Sequence, residues 1–278
     1  MPTNLNKQTS IDQTEVHSIR NERINQGYLL NILTPPGYNA SEDYYPVVYI
    51  TDGGPNFTAL ASITPLMQMT AELTQFIIVG ITYDVENTMH SMSLRARDLT
   101  QVTDADAEKE MAQYWTQSMP DVGTGGAAEF LRFINHEIKP YITSQFRVNH
   151  DDSTYAGYSL GGLFGLYALF NQPDSFKRYV IGSPSIWWAN RDILQHENAY
   201  ASGHSDLEAR VFMSSGELEE PPAQKSAAMV TNMLSLAETL KTRAYTSLEL
   251  EHTVLAAETH LSGIGTTLTR GIRSVFET

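Results

Sequence analysis

Short apolar runs, rich in β-branched and aromatic residues, alternate along this chain with longer segments whose apolar positions recur every three or four residues. The short runs are Tyr28–Leu33, Pro46–Thr51, Phe76–Thr82, Thr154–Tyr158, Tyr179–Ile181, Arg210–Ser214 and Ser247–Glu251. Phe76–Thr82 and Tyr179–Ile181 are dense in Ile, Val, Phe and Tyr, as strands buried in a sheet tend to be. The helix-periodic segments are Ala127–Tyr141, Leu160–Phe170, Ala223–Lys241 and Leu261–Phe276. In the first of these, Phe130, Leu131, Phe133, Ile134 and Ile138 keep helical spacing, and Pro140 predicts where the helix stops. Strand alternating with helix predicts an α/β architecture, with a mostly parallel central sheet and helices on both faces. The early pair, around Val16 and then Tyr28–Leu33, predicts an antiparallel hairpin at the sheet edge.

No break in this pattern marks a domain boundary, so 1–278 reads as a single domain. The least regular stretch is Tyr83–Thr124. It is long for a connection inside a compact domain and predicts a lid or a substrate-binding excursion. Tyr114 and Trp115 within it fit either a cap over a site or an ordinary amphipathic helix. Asp104–Glu108 has the acidic spacing of a calcium loop. Its sixth position is Lys109 instead of Gly and its twelfth is Trp115 instead of Glu, so it reads as an acidic helix start.

Composition narrows the possible functions. A chain of 278 residues can bury a sizeable core. The formal charge of −14 argues against nucleic acid and anionic membrane surfaces as partners, and disfavours a highly anionic substrate unless local arginines offset the field. No apolar run approaches a membrane span. Met1–Arg20 is polar and lacks the layout of a secretory signal, so the chain reads as cytoplasmic. With zero cysteines, a disulfide framework, a thiol nucleophile and Cys-ligated zinc are excluded. No H-E-x-x-H occurs, and no metal or cofactor is expected.

The candidate chemistry centres on Gly157-Tyr158-Ser159-Leu160-Gly161, which follows a predicted strand and opens a predicted helix. A strand-to-helix elbow exposes a serine hydroxyl and aims the N–H groups of the helix start at a reacting carbonyl; small residues two before and two after the serine permit the close approach. Tyr49-Ile50-Thr51-Asp52-Gly53-Gly54 ends an early strand, where this architecture places one half of an oxyanion hole. Gly54 and Leu160 are the two predicted N–H donors. A plain tight turn also explains the paired glycines. Serine needs a base, and the chain order serine, acid, histidine points to His260 after the last strand, with His252 as rival. The acid should follow Arg210–Ser214. There Glu217, Glu219 and Glu220 compete, and spacing does not separate them.

Together these segments resemble the esterase D-like branch of α/β hydrolases, and within it the siderophore-esterase-like group. The resemblance rests on Val47–Gly54, Arg97-Asp98-Leu99-Thr100, Gly125–Phe130, Ile138–Ile142, Gly157–Leu163, Ser183-Pro184-Ser185-Ile186-Trp187-Trp188, Gly216–Glu219 and Glu258-Thr259-His260. It implies a single α/β-hydrolase domain that hydrolyses carboxylic esters through a serine acyl-enzyme without a cofactor. The implied roles are Ser159 as nucleophile, His260 as base and Glu219 as acid, with Glu217 in reserve. Where the family has Arg-Asp-x-Thr-Pro, this chain has Gln101 in place of the proline.

The expected partner is a small-molecule ester, of siderophore type or a small acyl or aryl ester. Trp187 and Trp188 fit either a substrate pocket or core packing. Arg95 and Arg97 fit either an anionic substrate group or an ion pair with Asp98 or the acidic tract. Acyl transfer on the same fold is the enzymatic alternative. A binding protein that has kept the fold without the activity is the non-enzymatic one.

Overall fold

A computed structural model describes residues 13–106, 108–109, 122–220 and 227–277. Among them, eight strands form one sheet in the order β1-β2-β4-β3-β5-β6-β7-β8. The strands are β1 (Thr14–Asn21), β2 (Gln26–Leu33), β3 (Tyr45–Thr51), β4 (Ile77–Tyr83), β5 (Val148–Tyr158), β6 (Arg178–Gly182), β7 (Ala209–Gly216) and β8 (Leu248–Leu255). β1 pairs antiparallel with β2, from Thr14↔Leu33 to Asn21↔Gln26, and forms the predicted edge hairpin. β2 pairs antiparallel with β4, and every pairing from β4 onward across the sheet is parallel.

The central parallel strands bury both faces, which explains their near-continuous apolar runs, while the edge strand β8 exposes Glu249 and Glu251. On β3, Val47 and Tyr49 enter one apolar cluster while Val48 and Ile50 enter the other. β6 divides the same way, Tyr179 and Ile181 against Val180. A one-residue register slip would exchange the two rows, so burial on both sides pins the register. One face is covered by α1 (Pro55–Met69) and by the last helix, Gly263–Phe276. The other is covered by the helices of 127–145, by Leu160–Asn171, by Ile193–Gly203 and by Met229–Arg243. No helix among the described residues is long and apolar enough to cross a membrane.

Two expectations need correction. The helix from Ala127 does not stop at Pro140. It runs as an α-helix over Ala127–Phe133, widens into a π turn over Ile134–Ile138, and resumes over Lys139–Gln145. The Lys139 N–H reaches back to the Ile134 carbonyl. The wide turn relieves the clash a proline ring makes with the carbonyl four residues before it, and Pro140 sits in the first turn of the resumed helix, where its missing N–H costs little. The stretch 83–124 is also less irregular than its sequence suggests. It contains α2 (Thr88–Leu99), capped by the Asn87 side chain accepting the His90 N–H at 3.0 Å, and Leu94, Ala96 and Leu99 are buried. Asp104 begins a further helical turn, its Oδ1 accepting the Asp106 N–H at 3.0 Å. Tyr114 and Trp115 lie outside the described residues.

Candidate active site

The site lies where the chain leaves the C-terminal ends of the parallel strands. Ser159 links β5 directly to helix Leu160–Asn171, with φ 62° and ψ −118°. A non-glycine residue at positive φ costs about 1–3 kcal/mol and persists only where its surroundings enforce it. Here the Ser159 N–H donates to the Gly182 carbonyl at 2.9 Å, and the Ser159 carbonyl accepts from the N–H of Leu163 at 3.0 Å and of Ser185 at 3.1 Å. The flanking glycines are sterically required. A Cβ on Gly157 would lie 2.4 Å from the Gly161 carbonyl oxygen, and one on Gly161 would lie 2.5 Å from Thr51 Oγ1. The elbow therefore packs against the loop that follows β3.

In that loop, Asp52 adopts φ 56°. Gly53 is pinned on both sides: its N–H donates to the Ile81 carbonyl at 2.9 Å and its own carbonyl accepts Asn31 Nδ2 at 2.8 Å. Gly53 thus has no N–H to offer a ligand. Gly54 is exposed at the start of α1, and Leu160 opens its helix. The first N–H groups of a helix have no intrahelical acceptor, which leaves these two available to an anion.

The acid and base meet across a wide sequence gap. Glu219 lies in the short turn Glu217–Glu219 after β7 and is fully buried. Its Oε2 accepts His260 Nδ1 at 2.6 Å, and its Oε1 accepts the Gly216 N–H at 2.7 Å and the Ser183 hydroxyl at 2.6 Å. Burial pushes the Glu219 carboxyl up, but the hydrogen bonds from His260 and Ser183, the histidine's charge and the Gly216 N–H outweigh it and hold the group below the usual carboxylate range. Ser183 has one proton and gives it to the carboxylate. Its oxygen also lies 2.8 Å from the Tyr158 hydroxyl, so Tyr158 donates to it. Burial and Glu219 push the Tyr158 phenol up, keeping it protonated for that bond. The Tyr158 ring lies 5.2 Å, centroid to centroid, from the His260 ring. Tyr158 immediately precedes Ser159, so the histidine stands beside the elbow.

The other glutamates serve elsewhere. Glu217 is exposed, and its Oε2 accepts the Ala257 N–H at 2.8 Å. Glu220 accepts the Thr231 N–H. His252 lies inside β8, opposite Met213, and not in a loop.

The expected substrate contacts fare differently. Trp188 is fully buried and its indole N–H donates to the Val102 carbonyl at 3.1 Å, so it is a packing residue. Trp187 is half-buried beside it. Arg97 is taken by the ion-pair reading: its Nε meets Asp98 Oδ1 at 2.7 Å and its Nη2 meets the Tyr28 hydroxyl at 3.3 Å. Tyr28 in turn donates to Asp98 Oδ2 at 2.6 Å. With Asp98 buried, its charge needs that guanidinium, so Arg97 makes the ion pair that its sequence position offered.

The sequence reading missed Ser183 and Ser185. Ser185 is buried and its Oγ lies 3.4 Å from Ser159 Oγ. Both belong to the Ser-Pro-Ser-x-Trp-Trp stretch, where two serines beside a proline between strand and helix were the available signal.

Comparison with known proteins places this architecture. The family described as "Putative esterase" matches residues 21–253. The chain is 28% identical over 271 residues to the ferri-bacillibactin esterase of Bacillus subtilis (strain 168), covering 95% of this chain and 90% of that one. It is 29% identical over 258 residues to the siderophore triacetylfusarinine C esterase of Aspergillus fumigatus, covering 84% and 82%. Among solved structures it superposes on the BES protein from Bacillus cereus with a TM-score of 0.82 at 28% identity, over 99% of this chain and 100% of that one. The fold is that of the α/β hydrolases.

Proposed function

The chain belongs to the "Putative esterase" family and is a carboxylic ester hydrolase, and we propose that it works as a serine esterase through a Ser159–His260–Glu219 triad, all within one α/β-hydrolase domain. The observation that carries this reading is the bond of 2.6 Å from His260 to the buried Glu219, in a ring seated against Tyr158 at the serine elbow.

Ser159 Oγ attacks the ester carbonyl carbon while His260 Nε2 takes its proton. Glu219 holds Nδ1 protonated and stabilises the imidazolium. The tetrahedral oxyanion is held by the N–H groups of Gly54 and Leu160, each worth about 3 kcal/mol of barrier. His260 then protonates the departing alkoxide, the carbon–oxygen bond breaks, and the acyl group stays on Ser159. Water, deprotonated by His260, attacks the acyl-enzyme and releases the acid with Ser159 restored. In the resting geometry the Ser159 hydroxyl is shared with Ser185 at 3.4 Å, and catalytic hydrogen bonds commonly tighten only once substrate is bound.

The substrate is read as an ester of siderophore type, or a small acyl or aryl ester. What supports the first is that the relatives over most of the chain are named as siderophore esterases.

Ser159→Ala should abolish both turnover and covalent labelling by a fluorophosphonate; labelling that persists would place the nucleophile elsewhere. A chain-length series of p-nitrophenyl esters, run beside a catecholate siderophore triester, reads the substrate class. Higher kcat/KM on the triester supports the siderophore reading, and its absence leaves the small esters.

A further inference from the structure

Arg95, on α2, reaches away from its own helix to two pieces of the site at once. Its Nε donates to Asp52 Oδ1 at 2.5 Å and its Nη2 to Asp52 Oδ2 at 2.9 Å, a two-pronged pair whose partners are only 16% and 14% exposed. The same Nη2 also donates to the Tyr158 carbonyl at 3.2 Å, one residue before Ser159. Asp52 stands at positive φ two residues before Gly54. A Cβ on Gly161, in the first turn of the nucleophile helix, would be 3.6 Å from Asp52 Oδ2. One guanidinium therefore ties the loop that presents Gly54 to the strand end that presents Ser159 and Leu160.

We propose that Arg95 is a positioning residue for the oxyanion hole, setting the spacing of the Gly54 and Leu160 N–H groups and neutralising the Asp52 carboxylate beside them. This rests on the acyl-enzyme reading above. Two donors contributed by different strands stabilise an oxyanion only if their separation is fixed before the charge develops. Gly53 anchors its loop to β4 and β2, not to β5. The bridge to the nucleophile side comes from Arg95, together with the hydroxyl chain Thr51–Tyr155–Gly161, in which Tyr155 Oη lies 3.0 Å from Thr51 Oγ1 and donates to the Gly161 carbonyl at 2.7 Å. The charge matters as well. Without the guanidinium, a poorly solvated carboxylate would lie next to the first turn of the nucleophile helix and repel a developing negative charge. Lysine would supply the charge but not the planar fork, so it should substitute incompletely.

The experiment compares Arg95→Met, Arg95→Lys and Arg95→Met/Asp52→Asn with the unaltered enzyme on one p-nitrophenyl ester. Turnover is normalised to active sites titrated by the acyl-enzyme burst, so that unfolded protein does not count. Arg95→Met should lower kcat about tenfold to a hundredfold with KM changed less than about threefold. Arg95→Lys should fall between, and the double variant should regain part of the loss because the stranded carboxylate is gone. Per-site kcat within twofold of the unaltered enzyme in Arg95→Lys and Arg95→Met, whatever their melting temperatures, overturns the proposal; if Arg95→Met does not fold, Arg95→Lys decides alone. Failure of the acyl-enzyme reading shows separately, as Ser159→Ala retaining activity.

Discussion

Glu219 keeps its charge in a place that water does not reach, because a histidine, a serine hydroxyl and a backbone N–H all donate to it. Its ionised form is favoured in the fold, so its pKa lies below the ordinary 4.5. The sign follows: the stabilisation is fully present above that ordinary value and is lost as pH falls through the lowered one. Urea unfolding of the unaltered protein should therefore weaken more steeply between pH 6 and pH 3 than that of Glu219→Gln, and matching slopes would remove the carboxylate from this role. Glu219→Gln should also cut kcat about 10²- to 10⁴-fold, since an amide cannot stabilise imidazolium. Glu217→Gln, at an exposed carboxylate that holds the Ala257 N–H, should stay within severalfold. The larger loss appearing in Glu217→Gln would exchange their roles. Spacing among three glutamates could not separate these two. The resemblance favoured Glu219, and the geometry shows why it differs: its side chain turns inward to Ser183 and His260, while that of Glu217 turns out to the Ala257 turn.

At the scale of elements, the elbow and the loop after β3 behave as one packed unit, and their glycines are not equivalent. Gly157 has backbone and a tyrosine hydroxyl within 2.5 Å of where a Cβ would sit, whereas nothing lies within 4 Å of a Cβ on Gly54, whose φ is −81°. Gly157→Ala should cost about 1–3 kcal/mol in urea unfolding through overpacking, while Gly54→Ala should stay within about 0.5 kcal/mol. Equal costs would mean that the elbow can spread to admit a methyl group. The G-x-S-x-G pattern was readable because its reason is local: one strand end, one helix start and the contact between them. The π turn before Pro140 was not readable, because proline ordinarily marks a helix end and only the packing of Ile134, Ile138 and Ile142 against the sheet holds this helix together beyond it. Helix α2 was missed for a related reason. Its sequence is polar with scattered apolar residues, and its stability comes from burying Leu94, Ala96 and Leu99.

Across the whole molecule, a formal charge of −14 sets a repulsive field for anions that salt screens. The kcat/KM for an anionic ester should rise as ionic strength increases from about 10 to 150 mM, with a neutral ester of the same size nearly unchanged. An anionic ester that slows with salt instead would point to a local cationic patch that dominates at the site. The α/β class, the edge hairpin and the strand-to-helix elbow at Ser159 were legible in the sequence. Each is written in side-chain periodicity or in residues that touch their near neighbours in the chain. The long-range contacts came from the folded chain: Arg95 holds Asp52, 43 residues away, and Ser183 reaches Glu219 across 36 residues to complete its cradle. Those contacts depend on which strand ends lie side by side and which helix packs over them. The strand order is fixed by burying two apolar rows on each of the central strands β3 to β7 at once, a condition on the whole sheet that no short stretch of sequence states.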